Sequence, residues 1–492
     1  MKKYLFAALL FVLNTAPLGA QTQPAPPRPQ APPGTQQRQA QPFDISEYGV
    51  EFLAEPRLIV VMAALEAAGF DPTPSGRTAS VFRTQVRKDL STLDPDLRGR
   101  LKSFYERNKL PPPATPAEQA ARYISLALTL TPPPALDPPE RSDDLPAGLL
   151  EVLDFAPLVR EFYRRSGIDE RLITYVRAYQ AEGDRLREPA SEMVRAVLTY
   201  LHTRPITVAS ERVEVRTPGK KQKKDGPKSY SFREHQRRFF IVPDLLAAHG
   251  AINFRVIGDS YYAIVPEGID PVGSELRRAY LQYVIDPLMI RFNRDIAARR
   301  EQLRTLLNER QKAGTQVSAD IFLTVSRSLV AAADARFDEV RKLEALARLN
   351  RARLAAATDE AGRASIVKVA KGETTQIQDE TVARLADEYE RGAVLAFFFA
   401  DQLKGIETSG FDIANFFSDM IASFDPDREL RRPSEYAEAR QRAVAAQQAR
   451  LAARKAEADP PPYSATETVR AASLVKKLAE IEEVLRLRDY VN

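Results

Sequence analysis

Residues 206–268 hold nearly all of the strand signal in this chain, and the sequence on either side reads as helix. "ITVASERVEVRT" (206–217) alternates and is rich in β-branched residues. "RRFFIVPDLL" (237–246), "AINFRVIGD" (251–259) and "SYYAIVPEG" (260–268) follow as three short strand-like runs parted by turn residues. One small strand block in a long helical chain restricts the fold to α+β, mainly α, with a small β-sheet packed on helices. Helical N- and C-terminal regions are expected to flank it.

Before the block, an apolar stripe at helical spacing runs through 55–70, and two short helices broken at Asp94-Pro95 fill 79–110. Thr115, Pro116 and Glu118 open a helix over 115–130 with good N-terminal chemistry. "TPPPALDPP" (131–139) is a stiff turn, and helical stretches are expected at 146–165, 168–183 and 187–203. After the block, "SELRRAYLQYVIDPLMIRF" (274–292) predicts a helix that stops at Asp286-Pro287. Further helices are expected over 292–314, 382–407 and 434–458, with a helical pair over 465–491.

The N-terminus carries a different message. Lys2 and Lys3 precede a ten-residue apolar run, "YLFAALLFVL", and then "APLGA" (16–20). That order reads as a signal peptide over 1–20, cut near Ala20–Gln21. Residues 21–43 are a Pro- and Gln-rich linker with nothing to build a core. The expected organisation is therefore signal peptide (1–20), linker (21–43), N-terminal helical domain (44–205), central domain (206–425) and C-terminal helical extension (426–492). Export implies a periplasmic or secreted protein, with no transmembrane segment once the signal is removed. The chain has no Cys, so its stability rests on packing, and thiol nucleophiles and Cys-held metals are excluded. Lys plus Arg number 71 against 66 Asp plus Glu, too even a balance to suggest nucleic acid.

The helix after the strands raises the question of chemistry. A zinc peptidase helix needs His at i and i+4 to grip one Zn²⁺, with Glu at i+1 as general base. Here Arg278 and Gln282 stand four apart, with Ala279 between them. In "RAYLQYVIDPL" (278–288), Tyr280, Asp286, Pro287 and Leu288 also hold a recognisable order. This segment, with the strands before it, resembles secreted bacterial gluzincin-type metallopeptidase-like proteins. Their helix reads His-Glu-aromatic-x-His-x-x-x-Asn-Pro-Leu. The resemblance places Arg278 at the first His, Ala279 at the Glu and Gln282 at the second His. "DEYERGAV" (387–394) is similar to the family's helix bearing the third ligand, with Glu388, or Glu390 two residues on, at that position.

Every chemical position departs from the family pattern while the framing positions remain. Arg offers only donors and a permanent charge, Gln is a poor zinc ligand, and Ala supplies no base. His202, His235 and His249 are the only histidines, and none has a partner three or four residues away. No metal, cofactor or catalytic residue is therefore expected. Arg278 is expected either to pair with Glu388 or Glu390 in the metal's place, or to lie on a solvated face beside Arg277.

The function this implies is an exported non-catalytic metallopeptidase-like protein that binds, scaffolds or assembles with a protein or peptide partner. Two other readings stand beside it: an active hydrolase using a displaced metal site, and a helical envelope scaffold or chaperone. A second candidate is the basic loop around Lys220, Lys221, Lys223, Lys224 and Lys228, part of a +6 cluster over 220–238. It suits an anionic surface. Phe411, Phe416, Phe417 and Phe424, at roughly helical spacing, read as core. Asp425 and Asp427 flank a proline and lack the further ligands that Ca²⁺ needs.

Overall fold

A computed structural model describes residues 43–142, 145–214, 230–271 and 273–458. The expected signal peptide, nearly all of the linker, the five lysines of the basic loop and the C-terminal helical pair lie outside the described residues.

The N-terminal helices are α1 (Pro56–Ala67), α2 (Val81–Asp89), α3 (Pro95–Arg107), α4 (Pro116–Thr129), α5 (Leu149–Val152), α6 (Ala156–Arg165) and α7 (Ile168–Leu201). Their ends follow the capping chemistry. The Glu55 side chain accepts from the Arg57 amide at the start of α1, and Asp94 caps α3. Thr115 and Glu118 close a reciprocal capping box on α4. Leu58 to Ala67 of α1 are all buried, nearly all of them apolar, with Glu66 paired to Arg83 and Arg87, so this helix lies inside the helical layer.

The two helices expected at 168–183 and 187–203 are one. α7 runs 34 residues with Pro189 in its interior. Proline removes one helical hydrogen bond and favours a break. Packing overrides it, because Tyr179, Gly183, Leu186, Ala190, Val194, Val197 and Leu201 stay in phase on one buried face. At Gly183 the helix passes close to Pro243 and Phe52.

Among the described residues, six strands form two sheets: β1 (Val50–Phe52), β2 (Val208–Glu214), β3 (Tyr230–Gln236), β4 (Arg238–Asp244), β5 (Asn253–Ile257) and β6 (Ser260–Pro266). The main sheet has the order β1-β4-β6-β5, parallel except for the β5–β6 hairpin, and β2 pairs with β3 in a separate antiparallel ribbon. β1 lies outside the strand block and is too short to show a period. It joins the sheet through Phe239 N–H donating to the Gly49 carbonyl at 2.7 Å. Gly49 has φ 75°, and a Cβ there would meet the Tyr283 hydroxyl, so glycine is required.

The sheet alternates as a two-sided core requires. Val242 and Ile264, partners in register, face α1, α4 and α7 within one continuous core. Phe239 and Tyr261, also partners, face the other way onto Tyr280 and Tyr283 of α8 (Ser274–Arg291). Packing therefore does not part at 205, and the unit beginning at Asp44 continues without division.

α8 does not stop at Asp286-Pro287; it continues to Arg291. Pro287 has no N–H to offer the Tyr283 carbonyl one turn back. That carbonyl instead accepts from the Arg237 guanidinium at 2.9 Å. Arg237 also donates to the Ile206 carbonyl and lies over the rings of Tyr261 and Tyr283. It is buried, so it adds nothing to the surface charge of the cluster over 220–238.

The remaining helices are α9 (Asn293–Ala298), α10 (Arg300–Lys312), α11 (Ile321–Ala356), α12 (Glu360–Glu390), α13 (Ala396–Ser409), α14 (Phe417–Ala422), α15 (Pro426–Glu435) and α16 (Ala437–Ala458). The helix expected over 382–407 is the end of α12 and then α13, separated by a turn at Gly392 (φ 100°). The first half of α11 is buried against α8, α12 and α13. Phe417 and Phe424 are core as expected, but Phe411 is exposed, so the aromatic stripe is only partly internal. No described helix is long and apolar enough to cross a membrane.

Candidate functional site

The α8 helix presents Arg277, Arg278, Gln282 and Asp286 to α11 and α12. Arg278 grips Glu388 of α12 through both terminal nitrogens, with Nη1 at 2.8 Å from Oε1 and Nη2 at 2.5 Å from Oε2. This fork-on-carboxylate geometry is the strong form of an Arg–Glu contact. Arg391 approaches the same carboxylate at 3.3 Å. Glu388 is thus the acid that Arg278 meets. Glu390 turns away and pairs with Arg440 of α16 at 2.5 Å, on the wall of a separate groove of about 840 Å³.

Arg277 does not sit on a solvated face. It is buried, with Nε 2.6 Å from Asp334 and Nη2 2.8 Å from Asp338, and its guanidinium lies over the Phe337 ring. Arg384 of α12 closes the arrangement by pairing with both Asp334 and Asp338. Arg277, Arg278 and Arg384 therefore meet Asp334, Asp338 and Glu388 where α8, α11 and α12 come together, with Arg391 as a fourth cation at the exposed edge. Burial pulls on the Arg278 guanidinium, but the Glu388 contact outweighs it and raises the pKa above its ordinary value. Burial likewise pushes the Glu388 carboxyl up, and the Arg278 bond and charge more than reverse that, holding it below the usual carboxylate range.

Gln282 belongs to a second chain of hydrogen bonds, which converges on the Asp286 carboxyl. Its amide nitrogen donates to Ser326 Oγ at 2.7 Å and to Asp286 Oδ1. Ser326 donates to the same oxygen, and the Tyr261 hydroxyl donates to Asp286 Oδ2 at 2.8 Å. Asp286 thus ties the helix to β6 and α11. Ala279 is buried and contributes only packing.

These groups floor a cleft of about 490 Å³, lined by Arg278, Gln282, Glu388 and Arg391 with Ile252 and Phe254 at the outer strand β5. Zinc does not fit these residues. Of the three protein ligands in the pattern only Glu388 is a metal donor, and a guanidinium that cannot deprotonate already occupies it. Among the described residues no three of His, Cys, Asp and Glu converge as metal ligands. His202 ends α7, His235 lies on β3 with Nδ1 3.6 Å from Asp259, and His249 sits in the turn after β4.

Reading the sequence alone misses Arg277, Ser326, Asp334, Asp338 and Arg384. A signal for Asp334 is present: an acid within "SLVAAADARF" (328–337) on a buried helix demands a cation. The basic partner could not be read from it, because it comes from 57 residues upstream.

Comparison with family models, with curated proteins and with solved structures finds no match for this chain.

Proposed function

We propose that this chain is an exported, non-catalytic metallopeptidase-like protein whose cleft between β5 and α8 holds a peptide or protein partner. The observation that carries this reading is the bidentate Arg278–Glu388 pair, which joins the position of the first zinc ligand to that of the third. A cation is retained there, but as a guanidinium, which has no coordination site to offer and cannot activate water. The strands leading into α8, the aromatic Tyr280 against the sheet and the Pro287-Leu288 turn of helix agree with the same frame. The signal-like N-terminus supports export.

The frame can be tested by restoring its chemistry. Native chain incubated with Zn²⁺ and desalted is expected to hold substoichiometric metal and to cleave no peptide. The triple variant Arg278→His, Ala279→Glu, Gln282→His is expected to retain close to one zinc per chain, with Glu388 as its third protein ligand. Stoichiometric zinc in the native chain, with peptide cleavage abolished by a chelator, would overturn the non-catalytic reading. A folded triple variant, judged by circular dichroism, that takes up no zinc would overturn the frame.

A further inference from the structure

The cleft between β5 and α8 carries more positive than negative charge. Its lining holds Arg278, Arg327 and Arg391 against Glu275 and Glu388. Both acids are engaged. Glu388 gives its two oxygens to Arg278, and the Glu275 carboxylate accepts from the Ile252 amide at 2.9 Å. Arg391 makes a single side-chain contact, Nη1 at 3.3 Å from Glu388 Oε1, and its side chain is 72% exposed. Arg327 is exposed, and its side chain has no ion pair or hydrogen bond among the described residues.

Local helix chemistry accounts for only one of these two cations. Arg391 caps the C-terminus of α12, where the helix dipole favours a positive charge. Arg327 lies in the second turn of α11, beyond the reach of either end of the dipole. Leu323, Thr324, Val330 and Ala331 stand three and four residues from it, so no acid on its own helix can pair with it. Its neighbours hold it at the cleft. Ser326 bonds to Gln282 of α8, and Val330, one turn on, lines the same wall.

The rest of the cleft is apolar. Ile252 and Phe254 are half-buried on the β5 side, and Ala279, Val330 and Ala393 are buried. A volume of about 490 Å³ suits a short piece of chain and not a folded surface. Guanidiniums with unused donors beside an apolar wall match a carboxylate that stands next to an apolar side chain.

Resting on the reading of this cleft as a partner site, we propose that Arg327 and Arg391 bind a carboxylate of the peptide partner. The apolar side chain next to that carboxylate packs against Phe254, Ala279 and Val330. The carboxylate belongs to the partner's C-terminus or to an acidic side chain. Arg278 stays with Glu388 and forms the floor.

Equilibrium dialysis of the full chain against pools of random hexapeptides tests this, with mass spectrometry measuring each peptide's excess on the protein side. One pool has free C-termini and no Asp or Glu. A second is the same pool amidated, and a third is amidated with one internal Glu. The first or third pool is expected to be enriched at least about tenfold over the second, with an apolar residue beside the carboxylate. Enrichment of the first assigns the C-terminus, and enrichment of the third assigns an acidic side chain. Arg327→Ala plus Arg391→Ala should lose at least about tenfold of that enrichment. Arg348→Ala plus Arg351→Ala, which removes the same charge from the exposed part of α11, should keep it, with circular dichroism showing both variants folded. Equal enrichment of all three pools would overturn the carboxylate inference alone and leave the cleft a peptide site. Native-like enrichment by the folded Arg327 and Arg391 variant would also overturn it. No enrichment from any pool would overturn this inference and the peptide-binding reading together.

Discussion

Arg278 and Glu388 show how two residues 110 apart in sequence can settle each other's charge. Arg278→Ala leaves the buried Glu388 carboxylate with only Arg391 at 3.3 Å, and Glu388→Ala leaves the guanidinium with only Asp334 at 3.7 Å. Each is expected to cost about 1–3 kcal/mol in urea unfolding, with the double variant costing clearly less than the two together. Because the Glu388 carboxyl is held below its ordinary value of 4.5, the pair's contribution is complete above that pH and is lost as pH falls through the lowered value. The native-minus-Glu388→Gln stability difference should therefore shrink in acid. Asp244 behaves in the opposite sense. It is fully buried, accepting from the Tyr179 hydroxyl and the Leu246 amide, and burial raises its carboxyl from 3.8 to about 6. A raised acid favours the protonated folded form, so stability is expected to fall as pH rises from about 4 to 6. Asp244→Asn should flatten that slope and gain on the order of 2–3 kcal/mol near pH 7, measured by urea unfolding across that range. None of this was legible from the residues alone. The sequence left Arg278 either paired with Glu388 or Glu390 or on a solvated face, and only the packing of α8 against α12 separates these.

At the scale of elements, caps and apolar periods were readable, whereas prolines were not. Asp94, Thr115 and Glu118 mark their helix starts correctly because capping is a contact over three residues. The gap expected over 184–186 and the stop expected at Asp286-Pro287 do not occur, since buried faces on both sides hold each helix together. The α8 case yields a contrast. Arg237→Met removes the donor to the Tyr283 and Ile206 carbonyls inside the core, and is expected to cost about 2–4 kcal/mol. Pro287→Ala restores an N–H to a carbonyl that already has a partner, and should change stability by less than about 1 kcal/mol. Thermal unfolding of the two variants side by side checks this ordering. β1 escapes notice because three residues show no period; it exists because β4 offers it an edge.

For the molecule as a whole, the core that α1, α4 and α7 share with β4 and β6 makes residues on both sides of 205 one structure. Arg432 of α15, buried against Glu429 and Asp401 of α13, does the same across 425. Thermal unfolding is expected to show a single transition for the body, and residues 44–205 expressed alone should lack a cooperative one, because Val242, Leu246 and Ile264 leave their core uncovered. By itself the sequence determined the mainly helical α+β class, the position of the strand block, most helix starts and the donor atoms that Arg278, Ala279 and Gln282 can offer. These follow from local periods, caps and the identities of donor atoms. Tertiary structure alone decided which acid Arg278 holds, that Arg277 and Arg237 are buried, and that side chains from both sides of 205 and of 425 pack together. Those outcomes depend on contacts across tens to hundreds of residues, where desolvation obliges each buried charge to find a partner that no local pattern names.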